Sequence, residues 1–380
     1  MSGDNSVQHN YFITRDSSDP VQNLAGLVRE QWSEEAKLRD LFPVPIPVLW
    51  RVEDGETLGD HRELAGGPVE GTTSDLASFT RSFSEQQSQR LVILGEAGSG
   101  KTTLAVLLVL ELLRQRAEGG RVPVLLPIAS WRPTKEHLKT WLLRQLTDQY
   151  PFLSSTKAHG LLNRGLILPV LDGLDELPAA ERPLALRKLT SGYLATEPLV
   201  LTCRTGDYTK AIGTGHVLRS ALVVEGQPLT AEAVAKYLRI SVPPQRRAHW
   251  RPLIRAVEED KGSPVARALS VPLLLWLCWK VYEDSDQGGS PDDLMDQARF
   301  PTVEEIERHL LDSLVPSVYP SGPQPPVHRD RKAPRRWSRR HGPGPPGGSA
   351  ISPGTSRSAS RPTSNGGNWA RPCTRRPARP

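Results

Sequence analysis

The stretch Leu91-Val92-Ile93-Leu94-Gly95-Glu96-Ala97-Gly98-Ser99-Gly100-Lys101-Thr102 decides the fold, together with the helical pattern that follows it from Thr103 to Glu118. An apolar strand delivers the chain to a glycine-rich turn, and a helix opens directly behind it. Backbone N–H groups in such a turn surround a phosphate, and the positive end of the helix adds to the attraction. Each position of this P-loop then has a task. Gly95, Gly98 and Gly100 keep side chains out of the space that phosphates need, while Glu96, Ala97, Ser99 and Thr103 complete the cradle. Lys101 is expected to reach the β- and γ-phosphate oxygens, and the Thr102 hydroxyl to ligate Mg²⁺. The segment therefore predicts binding of a nucleoside triphosphate.

Working outward, short apolar runs alternate with longer amphipathic stretches, which is the signature of a parallel sheet covered by helices. Strands are expected at Leu91–Leu94, Val122–Ile128, Leu166–Leu171, Leu199–Thr202 and Leu222–Val224, with helices at Thr103–Glu118, Lys135–Tyr150 and Ala179–Leu194. Upstream, Asp19-Pro20 caps a helix whose apolar positions are Leu24, Leu27, Val28, Trp32, Ala36 and Leu38. Pro43, Pro45 and Pro47 then force an extended path, and a glycine-rich connector around Gly55 to Gly71 leads to the P-loop. After Pro228 the pattern turns helical: Thr230 is an N-cap for Ala231–Leu238, and Val265–Tyr282 and Val303–Leu314 follow. The fold class is α/β, a three-layer α/β/α P-loop NTPase sheet with a small helical subdomain behind it.

A P-loop alone says only that phosphate is bound, so an acidic partner matters. It stands at Leu166-Ile167-Leu168-Pro169-Val170-Leu171-Asp172-Gly173-Leu174-Asp175-Glu176, an apolar strand ending in three carboxylates. Asp172, on a strand beside the P-loop, is expected to hold Mg²⁺. Gly173 fills the place where many hexameric ATPases carry a catalytic glutamate, so Asp175 or Glu176 is left to orient or deprotonate the attacking water. The strand Leu199–Arg204 ends in Arg204, a candidate sensor of the γ-phosphate; its bland alternative is a surface salt-bridge arginine. Cys203 beside it reads as a packed apolar residue, because no histidine is close in sequence.

The P-loop, the Asp172-to-Glu176 box, the Thr202-Cys203-Arg204 strand end and the helix start at Gln227-Pro228-Leu229-Thr230 together resemble a NACHT domain. This STAND-class signalling NTPase module is shared by NOD-like receptors and many bacterial proteins. The similarity covers about residues 88 to 315. Within it, Pro272 in Ser270-Val271-Pro272-Leu273-Leu274-Leu275 is similar to the family's adenine-contacting proline. The Gln31-Trp32 helix and its proline-rich sequel resemble the segment preceding NACHT in actinobacterial members. The resemblance implies a switch that is closed with ADP, opens and homo-oligomerises with ATP, and hydrolyses slowly, often in antiphage defence or regulation. No effector domain is recognisable before the module, and no repeat array after it.

Two enzyme alternatives are weaker. A GTPase would show an Asn/Thr-Lys-x-Asp motif after the Asp172 strand, and a motor ATPase would prefer an acid at position 173, so ATP is favoured.

Composition divides the chain. Residues 320–380 hold thirteen Lys and Arg, one acid and thirteen Pro, so this tail carries +12 of an overall +6 and leaves −6 for the remainder. With Val327 and Ile351 as its aliphatic residues it cannot build a core, and disorder is expected there. Three readings of the tail stand open: a solvated segment, a salt-dependent nucleic-acid contact, or translation out of frame, given its Pro, Arg, Gly and Ser bias. The three cysteines, few and far apart, do not suggest a disulfide framework. No secretory segment opens the chain and no apolar run is long enough to span a membrane, so a cytoplasmic location is expected. The expected division is a lead-in at 1–18, a helix and connector at 19–87, the NTPase core at 88–226, a helical subdomain at 227–318 and the tail at 319–380.

Overall fold

The computed structural model describes residues 19–41, 44–52, 71–191, 197–213, 217–283 and 289–318. The expected lead-in, most of the glycine-rich connector and the basic tail lie outside the described residues.

Seven strands form one sheet in the order β2-β1-β7-β3-β6-β5-β4. They are β1 (Leu49–Val52), β2 (Gly71–Thr72), β3 (Arg90–Leu94), β4 (Val122–Pro127), β5 (Ile167–Asp172), β6 (Leu199–Cys203) and β7 (Leu222–Gly226). The five strands from β3 to β7 pair in parallel. Strands covered on both faces need apolar residues at every position, which is why these read as continuous runs rather than as alternation. β3 and β6 are buried throughout.

Two features differ from the sequence reading. β6 stands between β3 and β5, so the Asp172 strand is not the neighbour of the P-loop strand. The proline-rich segment also joins the sheet: β1 runs antiparallel to β7, with Trp50 opposite Gly226, and β2 pairs with β1. The fit is close, since a Cβ on Gly226 would sit 2.9 Å from the buried Trp50 ring.

Helices surround the sheet. α1 (Pro20–Leu38) is capped by the Asp19 side chain, which accepts from Val21 N–H, and buries Val21, Leu24, Ala25, Val28, Trp32 and Ala36. It packs on α3 (Lys101–Gln115) and β4. Arg29 Nη2 donates to Leu113 O at 2.8 Å, and Tyr150 Oη donates to Gln31 Oε1 at 3.0 Å. Leu38 is an exception to the expected stripe. It stands two residues past Ala36, roughly 200° round the helix, and is exposed.

The remaining helices of the core are α2 (Leu76–Glu85), α4 (Leu138–Gln149), α5 (Ser155–Asn163), α6 (Arg182–Thr190) and α7 (Thr205–Ile212). Behind β7 come α8 (Ala231–Ser241), α9 (Arg247–Glu259), α10 (Pro264–Leu269), α11 (Pro272–Glu283) and α12 (Val303–Val318). Thr230 caps α8 through Ala233 N–H, as expected. The apolar segment Val265–Tyr282 falls on two helices, α10 and α11. Pro272 has no N–H to continue α10 and disfavours helical backbone at Val271, yet suits the first turn of α11. Among the described residues no helix is long and apolar enough to cross a membrane.

Candidate functional site

Parallel pairing brings the C-terminal ends of β3, β5, β6 and β7 to one edge. The register sets Leu94 beside both Cys203 and Glu225. In open α/β sheets ligands bind at this edge.

The loop from Gly95 to Gly100 turns through left-handed backbone at Gly98 and Gly100. Gly98 is required twice over: its φ is +76°, and a Cβ would lie 2.9 Å from Leu273 Cβ. Glu96 and Ala97 face solvent, whereas Ser99 is buried and its Oγ has no hydrogen-bond partner among the described residues. Lys101 Nζ arches over the loop and donates to Gly95 O and Glu96 O, each at 2.9 Å. Burial lowers its pKa from the ordinary lysine value, and the nearby Asp175 opposes that drop. Thr102 and Thr103 lie in the first turn of α3.

Thr102 Oγ1 donates to the Asp172 carboxylate, 2.9 Å from Oδ2 and 3.2 Å from Oδ1. A hydroxyl and a carboxylate in contact are the hard oxygen pair that Mg²⁺ takes when phosphates fill its other positions. Among the described residues no cluster of three His, Cys, Asp or Glu could hold a metal by itself. The residues present therefore fit a Mg–nucleotide complex better than a dedicated metal cage.

The other two carboxylates are separated by their surroundings. Asp175 binds Arg204 twice, accepting from its backbone N–H at 3.1 Å and pairing with Nε at 2.9 Å. Arg182 secures this turn, donating to Asp175 O at 2.6 Å and Leu177 O at 2.9 Å while pairing with Asp207 at 2.6 Å. Glu176 instead folds back over Gly173. A Cβ on Gly173, whose φ is +80°, would stand 2.8 Å from Glu176 Cδ, so glycine at this position makes room for the glutamate. Although Glu176 keeps one flank exposed, partial burial raises its pKa, and Asp172 and Asp175 add to the rise.

Burial pushes the Cys203 thiol up to about 12, which suits a packed residue rather than a nucleophile. Pro272 is buried at the start of α11, where the next residue ties that helix to the P-loop: Leu273 N–H donates to Gly98 O at 3.1 Å.

Three residues at this edge were given no role by the sequence. They are Thr202, Arg182 and Glu225, the last of which accepts a hydrogen bond from Thr205 Oγ1. Thr202 stands in the strand-end motif quoted above, and a hydroxyl in an otherwise apolar run is the signal that could have marked its role.

Sheet, loop and acidic turn together form a P-loop α/β nucleotide-binding fold. Residues 89–243 match the NACHT domain family. No curated protein matches the chain. Among solved structures, Cdc6p from Pyrobaculum aerophilum is similar at 15% identity and a TM-score of 0.32, covering 56% of this chain and 57% of that one.

Proposed function

We propose that this chain is an ATP-dependent NACHT switch that binds Mg-ATP, hydrolyses it slowly and assembles with copies of itself in the ATP state. The observation that carries the reading is the contact of Thr102, the residue after the P-loop lysine, with Asp172 at 2.9 Å. Lys101 would exchange its two carbonyl contacts for phosphate oxygens, which are the stronger acceptors. When bound, Mg²⁺ would neutralise charge on the β- and γ-phosphates, with Thr102 and Asp172 holding it.

Glu176 is the residue assigned to the attacking water. Among the described residues its carboxylate forms no ion pair, and its raised pKa makes it a better proton acceptor once ionised. Asp175 serves Arg204, keeping the guanidinium at the strand end where it would meet the γ-phosphate. The choice of ATP is supported by the lack of a guanine-reading motif, and Pro272 is assigned to the adenine. The helical subdomain from residue 227 would act as the moving part, because its Leu273 contact ends on the loop that nucleotide would occupy. Self-assembly and a signalling role in bacterial defence are what the NACHT match suggests, and a cytoplasmic location completes the proposal.

The test is calorimetry with Mg-ATP on the full chain and on Lys101→Ala. The variant is expected to bind at least about 100-fold more weakly, the scale of losing charge-assisted contacts. Equal affinities would remove the reading.

A further inference from the structure

Strand β6 carries one buried hydroxyl among apolar neighbours. Thr202 is 1% exposed and lies opposite Ile93 in the β3 ladder, between the P-loop strand and the Asp172 strand. Its Oγ1 donates to Asp172 Oδ1 at 2.6 Å and accepts from Gly173 N–H at 2.8 Å. A threonine hydroxyl owns a single proton. With the Gly173 amide on its acceptor side, that proton is directed at Asp172. The opposite oxygen of the same carboxylate faces Thr102 at 2.9 Å. Asp172 is therefore held between two hydroxyls, one from α3 and one from β6.

We infer that Thr202 is a positioning residue for the metal site, holding the Asp172 carboxylate in the orientation that faces Thr102 and thereby setting the Mg²⁺ affinity of the nucleotide complex. The inference rests on the Mg-nucleotide reading above and adds a residue to it. A carboxylate free to rotate must be ordered when the metal arrives, whereas one already aligned avoids that loss. Hydrogen bonds behind a metal ligand typically change metal affinity by 10- to 100-fold. Serine keeps the hydroxyl. Valine keeps the shape but removes both hydrogen bonds.

The experiment uses the full chain and a fluorescent ATP analogue, with binding measured in EDTA and across a Mg²⁺ titration. Thr202→Val is expected to bind nucleotide in EDTA within about twofold of wild type, while its half-saturating Mg²⁺ concentration rises about tenfold or more. Thr202→Ser is expected to restore the wild-type Mg²⁺ midpoint to within about threefold. Thermal melting establishes that each variant is folded, and Thr202→Ala replaces Thr202→Val if the latter melts below the assay temperature. Equal Mg²⁺ midpoints in wild type and the folded variant overturn the inference, as does an equal loss of affinity with and without metal. Failure of wild type to bind the analogue at all overturns the nucleotide reading instead.

Discussion

The P-loop and the acidic turn face each other across the same sheet edge, yet they are built in opposite ways. Gly95 to Thr102 is one continuous segment, and its contacts are mostly its own: Lys101 reaches carbonyls five and six residues back. The acidic turn is assembled from separate places. Asp172 depends on a hydroxyl from β6 and another from α3, and Asp175 depends on Arg204 and Arg182. A contiguous motif carries its geometry within itself. An assembled one assigns different duties to identical side chains according to what the fold sets beside them.

The sharpest challenge to this contrast lies within the turn itself. Glu176→Gln is expected to retain ATP but slow hydrolysis by roughly 100-fold or more, the scale of losing a positioned base. Asp175→Asn, acting through Arg204, is expected to cost nearer tenfold, and Arg204→Ala a similar amount. Steady-state phosphate release measures all three. Equal losses in Glu176→Gln and Asp175→Asn would mean that the two carboxylates share one duty. The Glu176→Gln protein, held in the ATP state, is also expected to scatter more light than wild type on adding ATP.

A smaller effect is expected at the hinge of the turn. Gly173→Ala forces a left-handed backbone on a side chain, costing about 1–2 kcal/mol, and displaces Glu176 as well. Denaturant melting should register the first loss and phosphate release the second. Stability lost without any change in turnover would show that Glu176 does not need its place over Gly173.

The mildest effect is in pH. With its pKa raised, Glu176 is protonated at a higher pH than an ordinary glutamate, so the acid limb of the turnover profile should lie above the usual value of about 4.3. The sign for stability is the reverse of an ion-paired carboxylate. The folded state holds the proton more tightly, so stability falls as pH rises from the ordinary glutamate pKa through the folded one. Glu176→Gln should erase both the acid limb and that part of the pH dependence of melting. A profile unchanged in the variant would transfer the ionisation to another group.

Much of this was legible in the chain. Continuous apolar runs announced the five parallel strands, and the caps at Asp19 and Thr230 work as their residue types predict. Other elements were not. β1 and β2 are too short and too proline- or glycine-flanked to show a period, and exist because β7 offers an open edge. α9 was hidden by its arginines and by Pro252, although Trp250, Leu253, Ile254 and Val257 recur at helical spacing.

By itself, then, the sequence determined the class of site, because a P-loop's turn and its lysine take their shape from contacts over a few residues. It also determined that three carboxylates would lie near that loop. Only the tertiary structure decided which carboxylate does what. Strand order inserted β6 beside the P-loop strand, and with it Thr202 against Asp172 and Arg204 against Asp175, leaving Glu176 outside those contacts. Strand order is a global outcome of how helices cover the sheet, and no local pattern in the chain encodes it.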